Sequence, residues 1–191
     1  MDAPTIDAVG LNRPGDRQFS QDLWDGSDGR LIMTLLAELP VVTDNPPLRE
    51  LTRRLLITGG AAPVGLIEPG QALAARLERL LAMGDLDDAQ ALAQQLPLQR
   101  TPPELARPAT EIALLVGDDE TACTRAGEAA TRSTDAFWTK VTAYCQLVAN
   151  DAPAAQLSLD LLRDEEHGDP PFYQLAGRIV DGGSDAAPAQ L

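Results

Sequence analysis

From residue 27 onward the apolar residues recur at three- and four-residue spacings. The segments they form are short and are separated by Gly, Pro and Asn. This is the pattern of amphipathic helices. Leu31, Leu35 and Leu39 repeat every four residues as far as Pro40, and Ser27 stands where a side chain caps the first amides. Asn45-Pro46-Pro47 opens a second helix, because proline suits the first helical turn. Leu48, Leu51, Leu55 and Leu56 form its apolar stripe, and Gly59-Gly60 stop it. Residues 59–70 (GGAAPVGLIEPG) read as a connecting loop; with no strand before it and no Lys-Ser/Thr ending, it is not a phosphate-binding loop. Residues 1–20 show neither helical nor alternating periodicity and contain Pro4, Gly10, Pro14 and Gly15. They read as an extended or disordered arm ahead of a helical domain over 21–181, and 182–191 reads as a flexible tail or linker to further sequence.

The most informative pattern is internal. LLAMGDLDDA (80–89), ALLVGDDETA (113–122) and QLVANDAPAA (146–155) share four columns. These are Leu81, Leu114 and Leu147; Gly84, Gly117 and Asn150; Asp85, Asp118 and Asp151; and Ala89, Ala122 and Ala155. Their period is 33 residues, which marks stacked helical hairpins. Gly, or less easily Asn, takes the left-handed conformation that ends a helix. Asp caps the next helix, and Ala one turn later lets two backbones approach. Each repeat is therefore helix, tight turn, helix, with its inner face buried by its neighbours.

These residues resemble the tetratricopeptide repeat, whose paired helices join through a Gly-Asp-x-x-x-Ala turn. The likeness spans about residues 70–168, with a partial fourth unit at Phe172–Gly183. The bulky first-helix residues of that family are replaced here by Leu73, Ala106, Thr139, Leu80, Ala113 and Gln146. The resemblance implies an all-α, right-handed stack of antiparallel hairpins, an α-solenoid of about nine helices. Leu23-Trp24-Asp25-Gly26-Ser27-Asp28 and Tyr144-Cys145-Gln146 also look like an uncharacterised group of proteobacterial cell-envelope proteins, which implies secretion rather than an activity.

Composition narrows the functions. Aromatics make up 4% of the chain, which agrees with helices rather than strands. Fifteen basic residues against 29 acidic give a net charge of −14, which opposes binding to nucleic acid or anionic lipid. No apolar run reaches the length of a spanning helix, so no direct membrane insertion is expected. Residues 1–20 lack the basic start and apolar centre of a signal peptide, although a removed leader would leave the same chain.

No catalytic, cofactor-binding or metal-binding residue is expected. His167 is the lone histidine and sits beside Gly168, where the dipole of a helix end suits it. An EF-hand beginning at Asp25 would need Glu eleven residues later, where Leu36 stands. Asp85/Asp87/Asp88 and Asp118/Asp119/Glu120 fall in opening helical turns, and Asp164/Glu165/Glu166 forms a third acidic run. Trp24 and Trp138 read as core residues, with partner anchoring as the alternative. The expected function is a non-catalytic protein-interaction module or scaffold of the bacterial cell envelope. The alternative is an enzyme using carboxylate chemistry, or an accessory domain of one.

Two placements are specific. Cys123 and Cys145 each lie 11 residues from residue 134, at the centre of a turn near Ser133-Thr134-Asp135. An antiparallel hairpin puts them at one height, as a disulfide requires. Such a bond implies the periplasm or another oxidising space, and two reduced thiols in the cytoplasm are the alternative. If the tetratricopeptide likeness holds, the positions six and ten before each turn line a concave face for another protein or a peptide. They are Glu78, Glu111 and Tyr144, with Ala74, Arg107 and Lys140; Phe137 lies one turn earlier. Alternatively Phe137 and Tyr144 only cover the next hairpin.

Overall fold

The computed structural model describes residues 6–11, 18–65, 68–164 and 169–180. Among them the chain forms a 3-10 turn (Ile6–Ala8) and nine α-helices. These are α1 (Gly29–Ala37), α2 (Pro46–Ile57), α3 (Gln71–Met83), α4 (Leu86–Ala93), α5 (Pro103–Leu115), α6 (Asp119–Ala130), α7 (Ala136–Val148), α8 (Ala152–Asp164) and α9 (Pro170–Val180). The protein is all-α; the extended pairing among these residues is an isolated bridge between Asp28 and Val64. None of the described helices is long and apolar enough to cross a membrane. His167, Glu165, Glu166 and the tail 182–191 lie outside the described residues.

Where the sequence suggests one helical domain over 21–181, the fold divides into two compact units, Met1–Ala122 and Cys123–Leu191. The division falls inside α6, whose apolar positions are alanines and one cysteine. Such a helix has little apolar area with which to extend a single core.

In the first unit α3 is the hub, touching the 3-10 turn, α1, α2, α4 and α5. Leu73, Leu77 and Leu80, spaced four and three apart, put one continuous stripe into the core with no exposed area. Leu56 and Ile57 of α2, Leu92 of α4, and Leu105 and Ile112 of α5 pack around it, and Trp24 lies partly buried against the same cluster.

The inward faces of α1 and α2 differ from the expected stripes. Ile32 and Leu36 are buried in α1, whereas Leu31 and Leu35 are more than half exposed. Two adjacent stripes each have four-residue spacing, so periodicity alone cannot choose between them. The choice is made from outside the helix, where α1 packs on α3 and Ile32 and Leu36 join its leucine cluster. Asp28, not Ser27, is the N-cap, accepting from Leu31 N at 3.0 Å. α2 opens at Pro46 as expected, with Asn45 as its N-cap; Leu56 of the expected stripe is buried together with Thr52 and Ile57, while Leu48 and Leu51 are exposed.

The arm also differs in its described part. Asp7 and Leu11 are buried, and Asp7 accepts from Gly70 N at 2.7 Å and from Leu73 N at 3.0 Å. Gly70 has φ of +91° and offers no side chain, so the first turn of α3 takes its cap from 63 residues away in sequence.

The three repeat turns share one local geometry. Gly84, Gly117 and Asn150 have φ of +74°, +75° and +58°. The following Asp amide reaches back five residues each time, from Asp85 to Leu80, Asp118 to Ala113 and Asp151 to Gln146. This is the double closure that ends a helix through a left-handed residue. Ala89, Ala122 and Ala155 have no exposed area. Asp118 and Asp151 cap their helices at Thr121 N (3.1 Å) and Ala154 N (3.2 Å). Asp85 does not: Arg49 takes its Oδ1 at 3.1 Å and also donates to Met83 O at 2.7 Å.

In the second unit α7 packs chiefly on α8, and α9 meets both. Ala143, Leu147, Ala155, Leu159 and Ala176 form its core, flanked by Phe172, Tyr173 and Val180. Cys123 and Cys145 are joined by a disulfide between α6 and α7, with their Cα atoms 5.6 Å apart.

Candidate functional site

In the first unit Glu78 is exposed on α3, while Arg107 and Glu111 form an exposed ion pair along α5 at 3.0 Å. Ala74, the other α3 position of the expected stripe, is buried in the core and presents nothing to a partner. In the second unit Phe137, Lys140 and Tyr144 are all half-buried on α7. Phe137 meets Trp138 edge to face at 4.8 Å, and Trp138 itself is buried.

Lys140 is engaged inside the unit. Its Nζ donates to Asp169 Oδ2 at 2.7 Å and lies 5.8 Å from the centre of the Phe172 ring, tying α7 to the start of α9. The lysine, and then the Phe172 amide, hold the Asp169 carboxyl below its ordinary range. A carboxyl whose pKa is lowered on folding stabilises above its unfolded pKa, near 3.8, and loses that contribution as the pH falls through its lower folded value. Acid unfolding of the wild-type chain below about pH 4 should therefore be steeper than that of Asp169→Asn, whose melting temperature should change less between pH 6 and pH 3. Equal pH dependence of the two melts would show that Lys140 does not hold Asp169 in solution.

The acidic run at the start of α4 lines a cavity of about 280 Å³ bounded by Gly84, Asp85, Leu86, Asp87 and Asp88. Two of its carboxylates are paired with arginines of α2, Asp85 with Arg49 and buried Asp88 with Arg53. Arg53 also holds Glu50, lowering that carboxyl, and its own guanidinium is pushed further toward the charged form. These carboxylates clamp α2 onto α4. Among the described residues no group of three or more His, Cys, Asp or Glu is arranged to hold a metal ion.

The surface missed by the sequence reading lies on α8 and α9. On α8, Leu159 and Leu162 are fully buried, whereas Leu157 and Leu161 are 73% and 48% exposed. These two lie one turn apart on the opposite face, beside exposed Asp164 and beside Asp160, which is paired with Arg163 at 2.7 Å. On α9, Leu175 and Ile179 are 62% and 55% exposed, also one turn apart. The signal was present in LSLDLL (157–162), which is apolar on more than one side of a helix. No protein-family model, curated protein or solved structure matches the chain.

Proposed function

We propose that the protein is a non-catalytic interaction module built from tetratricopeptide-like helical hairpins and working outside the cytoplasm. The observation that carries this reading is the two-faced α8. One apolar face fills the core of its unit, while the other, Leu157 and Leu161, faces solvent. An apolar helix face left in solvent is a candidate contact surface. The partner that fits is a helix with an apolar stripe and a basic character, because the chain's net charge of −14 speeds the approach of a cationic partner. The Cys123–Cys145 bond supports the compartment, since stable disulfides persist where thiols are oxidised.

The test is photo-crosslinking from position 157 in the native host, with exposed Thr124 as the control position. Discrete adducts from 157 alone, abolished by Leu161→Gln while the melting temperature stays within about 2 °C, support the reading. Equal yields from both positions, or adducts unaffected by Leu161→Gln, would place the partner elsewhere. The next surface to probe would then be Glu78, Arg107 and Glu111 in the first unit and Phe137 and Tyr144 in the second.

A further inference from the structure

The Cys123–Cys145 disulfide of the second unit stands at an open cleft of about 220 Å³. Cys123, Ala126 and Gly127 of α6 line one side, Cys145 and Ala149 at the end of α7 the other, and Asp151 the rim. Both cysteines are half-buried, so the cross-link is reachable from solvent rather than sealed in a core. The cleft has room for about seven waters, which suits a molecule of a few heavy atoms.

The residues over the sulfurs are small. A helical side chain covers the turn on its N-terminal side, so the residue four after a cysteine is the one that would shield it. Those residues are Gly127 for Cys123 and Ala149 for Cys145. Gly127 lies inside α6, where glycine is costly relative to alanine. No neighbour demands it, since an added Cβ would stand in open space. Its effect is to leave Cys123 Sγ the less covered of the two sulfurs.

Charge selects what can approach. A disulfide is opened by a thiolate. In this cleft that anion meets the exposed Asp151 carboxylate, on a chain of net charge −14. A positive group on the incoming molecule offsets the repulsion.

We infer that the Cys123–Cys145 disulfide is a thiol-exchange site whose ligand is a small thiol carrying an ammonium group. The thiolate sulfur bonds to Cys123 Sγ as the Cys123–Cys145 bond breaks. The bonding pair leaves on Cys145 Sγ, which takes a proton from water. One disulfide replaces another, so the step needs no oxidant or reductant beyond the thiol itself. α6 then carries the aminothiol and loses its covalent tie to α7. The site does not involve the outward leucines of α8, so neither reading depends on the other.

The probes are cysteamine and 2-sulfanylethanesulfonate, incubated with the full oxidised chain at equal thiolate concentrations. Acid quenching, N-ethylmaleimide labelling and peptide mapping give the rate and position of each adduct. Cysteamine should open the bond about tenfold faster than the sulfonate, with the adduct on Cys123 and maleimide on Cys145. Asp151→Asn keeps a capping oxygen for Ala154 N and should lose most of that preference. Equal rates for the two thiols, full preference in Asp151→Asn, or adducts mainly on Cys145 overturn the inference. Gly127→Leu and Gly127→Ala decide whether the thiol enters the folded cleft. Both raise helix propensity, alanine slightly more, but only leucine covers Cys123. Gly127→Leu should slow exchange about tenfold more than Gly127→Ala, because access sets the rate. Equal slowing would mean that the bond opens only when α6 unfolds, and the site would not exist. The comparison of the two thiols uses the wild-type chain alone and decides the matter if a variant misfolds.

Discussion

The double variant Cys123→Ala/Cys145→Ala should lose about 3 kcal/mol of stability, the chain-entropy value for opening a loop of this size. The bond spans 22 residues of sequence and joins α6 to α7. The local packing makes this loss hard to compensate. Ala126 and Ala129 are the apolar side chains that α6 buries after Cys123, and each brings little more than a methyl group to the core. Burying one methyl is worth about 0.8 kcal/mol, so α6 holds its place on α7 weakly without the cross-link. The variant should therefore show two effects: a lower urea midpoint, and loss of exchange protection confined first to residues 124–130. Dithiothreitol should reproduce both in the wild-type chain. A loss below about 1 kcal/mol would show that α6 is held by packing. Free thiols in protein isolated from its native compartment would remove the support for an extracytoplasmic role.

What could be read from the sequence was the local physics. The three turns at Gly84, Gly117 and Asn150 depend on residues within one turn of each, so their positive φ and reach-back amides follow from a few letters. The start of α2 at Asn45-Pro46-Pro47 is legible for the same reason. Features set by distant partners were not legible. Asp85 occupies the same column as Asp118 and Asp151, yet Arg49, 36 residues upstream, takes its carboxylate from the helix. Leu31/Leu35 and Ile32/Leu36 are equivalent by period, and packing on α3, more than 30 residues further along, picks the second pair. Lys140 looked free for a partner because Asp169 lies 29 residues further along. The segment 6–11 looked structureless because its hydrogen bonds go to residues 57–95 rather than to its own neighbours. The outward leucines of α8 stand in LSLDLL (157–162), but the repeat pattern does not single them out.

Asp7→Ala should destabilise the first unit by about 3 kcal/mol, well beyond the roughly 1 kcal/mol typical of a lost N-cap. The carboxylate is buried and accepts two amides, so truncation removes two charge-assisted bonds and leaves Gly70 N and Leu73 N unpaired. Each such buried donor costs about 1–3 kcal/mol. Arg76 adds to the loss. Its guanidinium is almost completely buried, and its nearest balancing charge is Asp7. Removing that charge leaves a cation facing carbonyl dipoles alone. Asp7→Asn keeps one carbonyl oxygen for the amides and should lose about half as much. Arg76→Met in the Asp7→Ala background should restore part of the stability, because an uncompensated buried charge is then gone. Urea unfolding of the wild type, Asp7→Ala, Arg76→Met and the Asp7→Ala/Arg76→Met double variant gives the coupling between the two sites directly. A loss below about 1 kcal/mol for Asp7→Ala, with no coupling to Arg76, would mean that the amides of α3 are satisfied by water and that the 3-10 turn contributes little to the fold.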